Sequence, residues 1–159
     1  MAICWILVSD AARARLFCAA ERDSALVEVA CYTNPELRGS AQAGGRDQPL
    51  PRTHDSLGPG RHAIEPHTSR RTKNARQFAS ALVDVLSAAH DQRQFQRLFL
   101  VAPPQFLGML REAVGNPETI GLTGEIGRDY VALSPAELHD QLHTEYPHEF
   151  HATPARLAS

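Results

Sequence analysis

Positive charge in this 159-residue chain is concentrated in one segment. Residues 34–76 contain eight Arg or Lys and four acidic residues, a net charge of +4; the whole chain carries −2, so the remainder carries −6. Guanidinium groups bind phosphate and carboxylate oxygens through paired hydrogen bonds. The segment therefore predicts a surface for an anionic partner. Its candidate contact residues are Arg46, Arg52, Arg61, Arg70, Arg71, Lys73 and Arg76.

Asp10 is the one carboxylate whose position suits a metal-dependent nuclease. Such an enzyme needs several carboxylates at the ends of neighbouring strands to hold its metal ions. Asp10 follows the apolar run 2–9, but the apolar run 97–102 is followed by two prolines and no acid. A nuclease is therefore disfavoured. We expect Asp10 to accept hydrogen bonds in the turn that follows it, or to pair with Arg13 or Arg15.

Histidines offer a second kind of chemistry. His139 and His143 lie four residues apart on one face of a predicted helix, a spacing that can bind zinc when a third ligand is near. A surface helix followed by a frayed tail explains the pair more simply, and we expect neither a bound metal nor a cofactor. The basic segment contains three further histidines that can act as acids or bases near neutral pH: His54, His62 and His67,. A hydrolase that uses Asp10 and these histidines is one alternative.

Composition places the chain among ordinary globular proteins, with 43% apolar and 21% charged residues,. Cys4, Cys18 and Cys31 lie in strand-like runs without Cys-x-x-Cys spacing, which predicts buried free thiols,. The sequence contains no Gly-x-Ser-x-Gly or phosphate-binding-loop motif,. No apolar run approaches the roughly 18 residues of a membrane span, and the start lacks the basic region of a signal peptide. We therefore expect a cytoplasmic protein without membrane contacts.

Hydrophobic patterns predict the elements that position these residues. Strands are expected at 2–9, 14–21, 25–33, 97–102 and 119–126,. An apolar stripe from Ala75 to Ala89 predicts a long helix,. A second helix begins at Pro104 and stops at Gly115, and a third begins at a capping box formed by Ser134 and Glu137,.

The order of these elements predicts an α/β fold with one five-stranded mixed sheet. Short links make strands one to three an antiparallel meander, and helical crossovers make the later strands parallel. The ribonuclease H-like strand order 3-2-1-4-5 places the two most apolar strands in the centre and helices on the sheet faces. We expect a single domain over residues 1–146, with a long basic loop at 34–71 and a flexible tail at 147–159.

Three stretches resemble a known bacterial family. They are "WILVSDAARARLF" (5–17), "DSLGPGR" (55–61) and "RLFLVAPPQFLGMLR" (97–111). Together they resemble the host-attachment family, described as "protein required for attachment to host cells", over about residues 3–145. The resemblance implies these motif positions: Trp5, Asp10, Arg15, Asp55, Gly60, Arg61, Pro103, Pro104, Phe106, Gly108 and Arg111.

This family is similar in fold to the central domain of archaeo-eukaryotic peptide-chain release factors. Those factors carry a Gly-Gly-Gln tip in the loop between the third strand and the long helix. Here Gly44 and Gly45 are followed by Arg46 instead of Gln, so the resemblance implies binding without peptide-release chemistry. The leading hypothesis is a non-catalytic binding protein whose basic loop contacts RNA or the ribosome. Besides the hydrolase, a protein–protein interaction module that affects attachment indirectly is an alternative.

Overall fold

The computed structural model describes residues 3–20, 25–37 and 67–151. Arg46, Arg52, Asp55, Gly60 and Arg61 of the predicted loop lie outside the described residues, as do the loop histidines His54 and His62. The strands are β1 (Cys4–Ser9), β2 (Arg13–Ala19), β3 (Val27–Thr33), β4 (Arg97–Val101) and β5 (Leu122–Ile126). The helices are α1 (His67–Asp91), α2 (Pro104–Val114) and α3 (Pro135–Glu145). Short 3₁₀ turns occupy Pro35–Leu37 and Pro117–Ile120.

The five strands form one mixed sheet in the predicted order β3-β2-β1-β4-β5. The first three strands are antiparallel neighbours, and β4 runs parallel to both β1 and β5. Central strands are covered on both faces and need apolar residues on both. In agreement, every residue of β1 except Trp5 and every residue of β4 except Arg97 is buried.

Alternation along the strands divides the core into two layers. On one face, Leu7, Leu16 and Leu100 pack beneath α1 and α2. The predicted apolar stripe of α1 is buried there over its whole length, which confirms it: Ala75, Phe78, Ala79, Leu82, Val83, Leu86 and Ala89. On the other face, Phe17 and Phe99 pack with α3 residues such as Leu142.

The helix ends follow the predicted signals. Gly115 ends α2 with a φ of 73°, a left-handed value that glycine adopts without steric cost,. Ser134 and Glu137 form the predicted capping box, each side chain bonded to the other's backbone N–H,. These local signals therefore fix where α2 ends and where α3 begins.

The prediction of an irregular loop through residue 71 is wrong at its C-terminal end. Helix α1 already begins at His67, so Arg70 and Arg71 are helical. Residues 69–71 are exposed, and an exposed turn has no apolar periodicity by which the sequence could reveal it. The basic side chains of this part of the chain therefore project from a regular helix.

The prediction of a flexible tail from residue 147 is also wrong where the structure describes it. Phe150 is 2% exposed and meets the Phe99 ring edge-on at a centroid distance of 5.0 Å. Arg97 of β4 forms an ion pair with Glu149. The segment 146–151 is too short to show periodicity, yet one aromatic side chain is enough to pack it onto the sheet.

Candidate anion-binding site

The carboxyl ends of the parallel strands β1 and β4 meet at one edge of the sheet, where open α/β sheets commonly bind ligands,. The turn after β1 and Pro103 after β4 lie there, close to the first turns of α1 and α2. Between them is a cavity of about 310 Å³, here called the α1–α2 cavity. Its lining includes Ala11, Arg71, Ala75, Pro103, Gln105 and Phe106.

Asp10 shapes the turn at this edge. Its Oδ1 accepts hydrogen bonds from the backbone N–H groups of Ala12 at 2.8 Å and Arg13 at 2.9 Å. Asn34 fixes the same turn, because its side-chain amide donates to the Ala11 carbonyl at 3.0 Å. The predicted turn role of Asp10 is therefore confirmed. The predicted ion pair of Asp10 with Arg13 or Arg15 is wrong, because Arg13 meets the Asp10 carboxylate only through its backbone N–H and Arg15 pairs with Glu28.

Exposed cations gather at the start of α1. Arg70, Arg71 and Lys73 are exposed, and no hydrogen bond or ion pair between described residues engages them. The helix has no acid in its first turn, and its first acidic residue is Asp84. A helix N-terminus carries partial positive charge, and nearby cations are unfavourable for the helix itself. For an anion, the two positive charges add, and both attract it to the start of α1.

Arg76 differs from its neighbours on α1. Its guanidinium donates to Glu112 of α2 at 2.6 Å, although both side chains are more than half exposed. The arginines of a basic segment can also be neutralised by acidic residues elsewhere in the fold, and Arg76 is such a case. The sequence treats the four α1 cations alike, whereas the structure separates Arg76 from the other three.

Three family-motif positions build the start of α2. Pro103 precedes the helix without a side-chain cap, and Pro104 fills its first turn, where a missing N–H is tolerated,. Phe106 is buried with its ring 6.0 Å from that of Phe78 on α1. These residues hold α2 against α1 and leave the exposed Gln105 beside the cavity.

Three other motif positions lie away from the cavity. Trp5 stacks on Phe95 with ring centroids 4.7 Å apart. Arg111 donates to Glu125 through Nε at 3.1 Å and through its terminal nitrogen at 2.5 Å, and this carboxylate raises the pKa of Arg111 above its usual value. A Cβ added to Gly108 would meet no atom within 4 Å.

Arg15 has a structural role on the α3 side of the sheet. Its guanidinium donates to the backbone carbonyls of Val131 at 2.8 Å and Leu133 at 2.7 Å. It also pairs with both carboxylate oxygens of Glu28 and lies 4.9 Å from the Phe17 ring centre. This motif arginine therefore ties β2 to the segment before α3.

The two candidate metal ligands contact the segment that follows α3. His139 is 4% exposed, which contradicts the expected surface position, and its Nε2 has no partner among the described residues. Burial lowers its pKa below 6.5. His143 Nδ1 lies 2.5 Å from the Phe150 carbonyl oxygen. Within the described ranges, no three His, Cys, Asp or Glu residues are grouped to hold a metal.

The cysteines lack the features of a nucleophile. Burial raises the pKa of the Cys4 thiol to about 12, so it is protonated at neutral pH,. Burial also raises the pKa of Cys18. None of the three cysteines forms a disulfide, but only Cys4 is buried; Cys18 and Cys31 are half-buried, so the expectation of buried thiols is confirmed in part.

Fold and site together define a single-sheet α/β protein with exposed cations, which no described residue pairs, at the start of helix α1. A family model described as "Protein required for attachment to host cells" matches residues 5–142, and the chain belongs to this family. No curated protein matches the sequence. Among the described helices, none is long and apolar enough to cross a membrane.

The cavity is the part of this site that sequence reasoning missed. Ala75, Gln105 and Met109 line it, although nothing in their types or spacing indicates a ligand. The available signal was indirect. The sequence starts α2 with two prolines and no polar capping residue, and the start of α1 is basic. Together these features indicate a helix end without a side-chain cap and a group of cations in the same protein.

Proposed function

We propose that this host-attachment family member is a non-catalytic cytoplasmic binding protein that contacts RNA, free or in the ribosome. The contact surface consists of the basic loop and the first two turns of α1. The observation that carries the proposal is the trio of exposed cations Arg70, Arg71 and Lys73, which no described residue pairs.

A phosphate backbone matches this arrangement better than a single small acid does. Arg70, Arg71 and Lys73 lie within about one turn of the helix and together present three positive charges to a phosphate backbone,. Such contacts position a nucleic acid without reading its sequence. In the sequence three further arginines, Arg46, Arg52 and Arg61, come before this helix. The family's resemblance in fold to release-factor central domains also supports RNA as the partner class, by analogy.

The described residues favour binding over hydrolysis. One oxygen of the Asp10 carboxylate accepts hydrogen bonds from two backbone N–H groups of the following turn. The thiol pKa of Cys4 is far above neutral pH. The hydrogen bonds of Asp10 therefore support a structural role in the turn beside the cavity.

A protein partner is the second candidate, favoured by a different surface. Val27 and Val29 on the edge strand β3 are 59% and 45% exposed, the largest exposures of big apolar side chains in the described residues. Exposed apolar residues on an edge strand are typical of pairing with another chain. A Val29→Lys change would weaken such a contact and leave RNA binding intact.

Co-sedimentation with ribosomes and with tRNA, at low and moderate salt, tests the proposal. We expect salt-sensitive association that is weakened in the double variant Arg70→Gln/Arg71→Gln and in a deletion of residues 42–66. The matched control is Arg93→Asn/Arg128→Gln, which removes two exposed charges elsewhere; Asn suits the positive φ of Arg93,. Absence of association, or equal loss in both double variants, would reject RNA as the partner.

A further inference from the structure

The α1–α2 cavity combines an apolar interior with a cationic rim. Ala75, Phe106 and Met109 are buried and form the apolar wall, while the exposed Arg71 lines the same space. The volume of about 310 Å³ lies at the lower end of the roughly 300–1,000 Å³ of small-molecule sites,. The cavity is therefore large enough for one ring system carrying an anionic group.

The charge around the cavity is of one sign. None of the described lining residues is acidic. The nearby Glu112 is paired with Arg76, and Asp10 is bonded to its own turn. An anionic group at the rim would therefore meet the Arg71 guanidinium without an acidic side chain among the described lining residues, and a charged hydrogen bond of this kind is stronger than a neutral one,.

The side chains of the cavity wall and rim suit a ligand with a flat ring that has polar groups on its edge. Aromatic rings pack favourably against other aromatic rings and against methionine sulfur, and Phe106 and Met109 offer both to a ring in the cavity. The Gln105 amide offers two donors and an acceptor to the edge of such a ring. A nucleotide has these parts in one molecule: a flat base with a polar edge, and a phosphate.

We infer that the α1–α2 cavity binds one nucleotide, with the base inside and the phosphate on Arg71. The inference rests on the proposed RNA binding and deepens it, because a base can enter only when it is unstacked and unpaired. The preferred partner is therefore single-stranded RNA rather than a duplex. A free nucleotide has the same chemistry and would occupy the same cavity.

The test measures binding of defined probes to the full chain by calorimetry at low salt. The probes are adenosine and uridine monophosphate, inorganic phosphate, a six-nucleotide single-stranded RNA, and the same RNA as a duplex. We expect both monophosphates to bind more tightly than phosphate, and the single strand more tightly than the duplex. Monophosphate binding without hexamer binding would reassign the site to free nucleotides, and hexamer binding without monophosphate binding would place the RNA outside the cavity and overturn the inference.

Variants separate the cavity from general charge attraction. Arg71→Gln should weaken monophosphate binding about tenfold, the usual loss for one charged hydrogen bond. Arg70→Gln, one position away and outside the cavity lining, should weaken it less, and Arg93→Asn should not change it. Ala75→Leu fills the cavity, so it should reduce monophosphate binding and leave the salt-dependent part of RNA binding unchanged. Thermal unfolding checks that each variant is folded.

Two results would overturn the inference without touching the proposed function. One is monophosphate binding no tighter than that of inorganic phosphate. The other is an equal loss with Arg70→Gln and Arg71→Gln while single-stranded RNA still binds in a salt-dependent way. Loss of RNA binding in every arm, with monophosphates still bound, would instead reject the proposed function and keep the cavity as a nucleotide site.

Discussion

The two faces of this sheet use arginine in opposite ways. On the α3 face, the Arg15 side chain is 15% exposed, donates to two backbone carbonyls and pairs with Glu28. On the α1–α2 face, Arg70 and Arg71 are exposed and form no hydrogen bond or ion pair with a described residue. Arg15 belongs to a family motif, and Arg70 and Arg71 belong to the basic segment. All are arginines, so residue type alone does not distinguish the structural ones from the exposed ones. The difference shows that the neighbours decide whether an arginine holds the fold or remains available to a partner.

Removing the Phe150 side chain tests whether the α3 face is structural. Phe150→Ala should lower the free energy of unfolding by about 3–5 kcal/mol, the usual cost of an aromatic cavity in a packed core. The exposed neighbour His148 provides the control, and His148→Ala should change it by less than about 0.5 kcal/mol. Urea unfolding measures both. Equal, small effects would mean that the segment after α3 is not part of the core.

Arg15 and Arg71 test the comparison directly. Arg15→Gln should lower the free energy of unfolding by about 2–3 kcal/mol, because the charge-assisted hydrogen bonds are lost and the carbonyls that accept them are left without a donor. Arg71→Gln should cost less than about 0.5 kcal/mol, because an exposed unpaired side chain stabilises nothing. Chemical denaturation of the two variants provides the measurement. Similar losses for both would remove the distinction between the two faces.

Stability of the α3 face should depend on pH through His139. Burial lowers the pKa of this imidazole in the folded state below its ordinary 6.5, so the unfolded chain binds the proton more tightly,. Stability from this group is therefore complete above pH 6.5. It falls as the pH drops below 6.5 and levels off below the folded pKa. Unfolding midpoints of wild type and His139→Gln should converge on acidification; a constant difference would contradict this account.

Gly108 gives the smallest expected effect, and an opposite sign. A Cβ added there meets no atom within 4 Å, and glycine inside a helix costs stability relative to alanine,. Gly108→Ala should therefore raise the free energy of unfolding by about 0.5–1 kcal/mol. Thermal unfolding against wild type measures the gain. A loss of stability would mean that the helix packs more closely at this position than the structure shows.

Most of the fold could be predicted from local patterns. The continuous apolar runs of β1 and β4 place them in the centre, and the capping box and Gly115 mark helix ends without tertiary information. The start of α1 could not be predicted, because its first turns are exposed and lack an apolar stripe. The burial of Phe150 was not predicted, because a single aromatic residue after a proline forms no hydrophobic repeat that could indicate packing.

The candidate site was predictable in charge but not in shape. The basic segment and the turn role of Asp10 follow from residue types and spacing. Which cations are paired depends on contacts between residues distant in sequence, such as Arg76 with Glu112. The cavity depends on the distance between α1 and α2, and no sequence period encodes that distance.

The salt dependence of RNA binding tests the central claim most directly. Affinity for a single-stranded RNA would be measured across salt concentrations for wild type, Arg70→Gln/Arg71→Gln and Arg93→Asn/Arg128→Gln. Each phosphate contact contributes about 0.7 to the slope of log affinity against log salt for single strands. The α1 double variant should therefore lose about 1.4 of the slope, and the control should keep it. Equal slopes in all three proteins would contradict a phosphate-binding role for the start of α1.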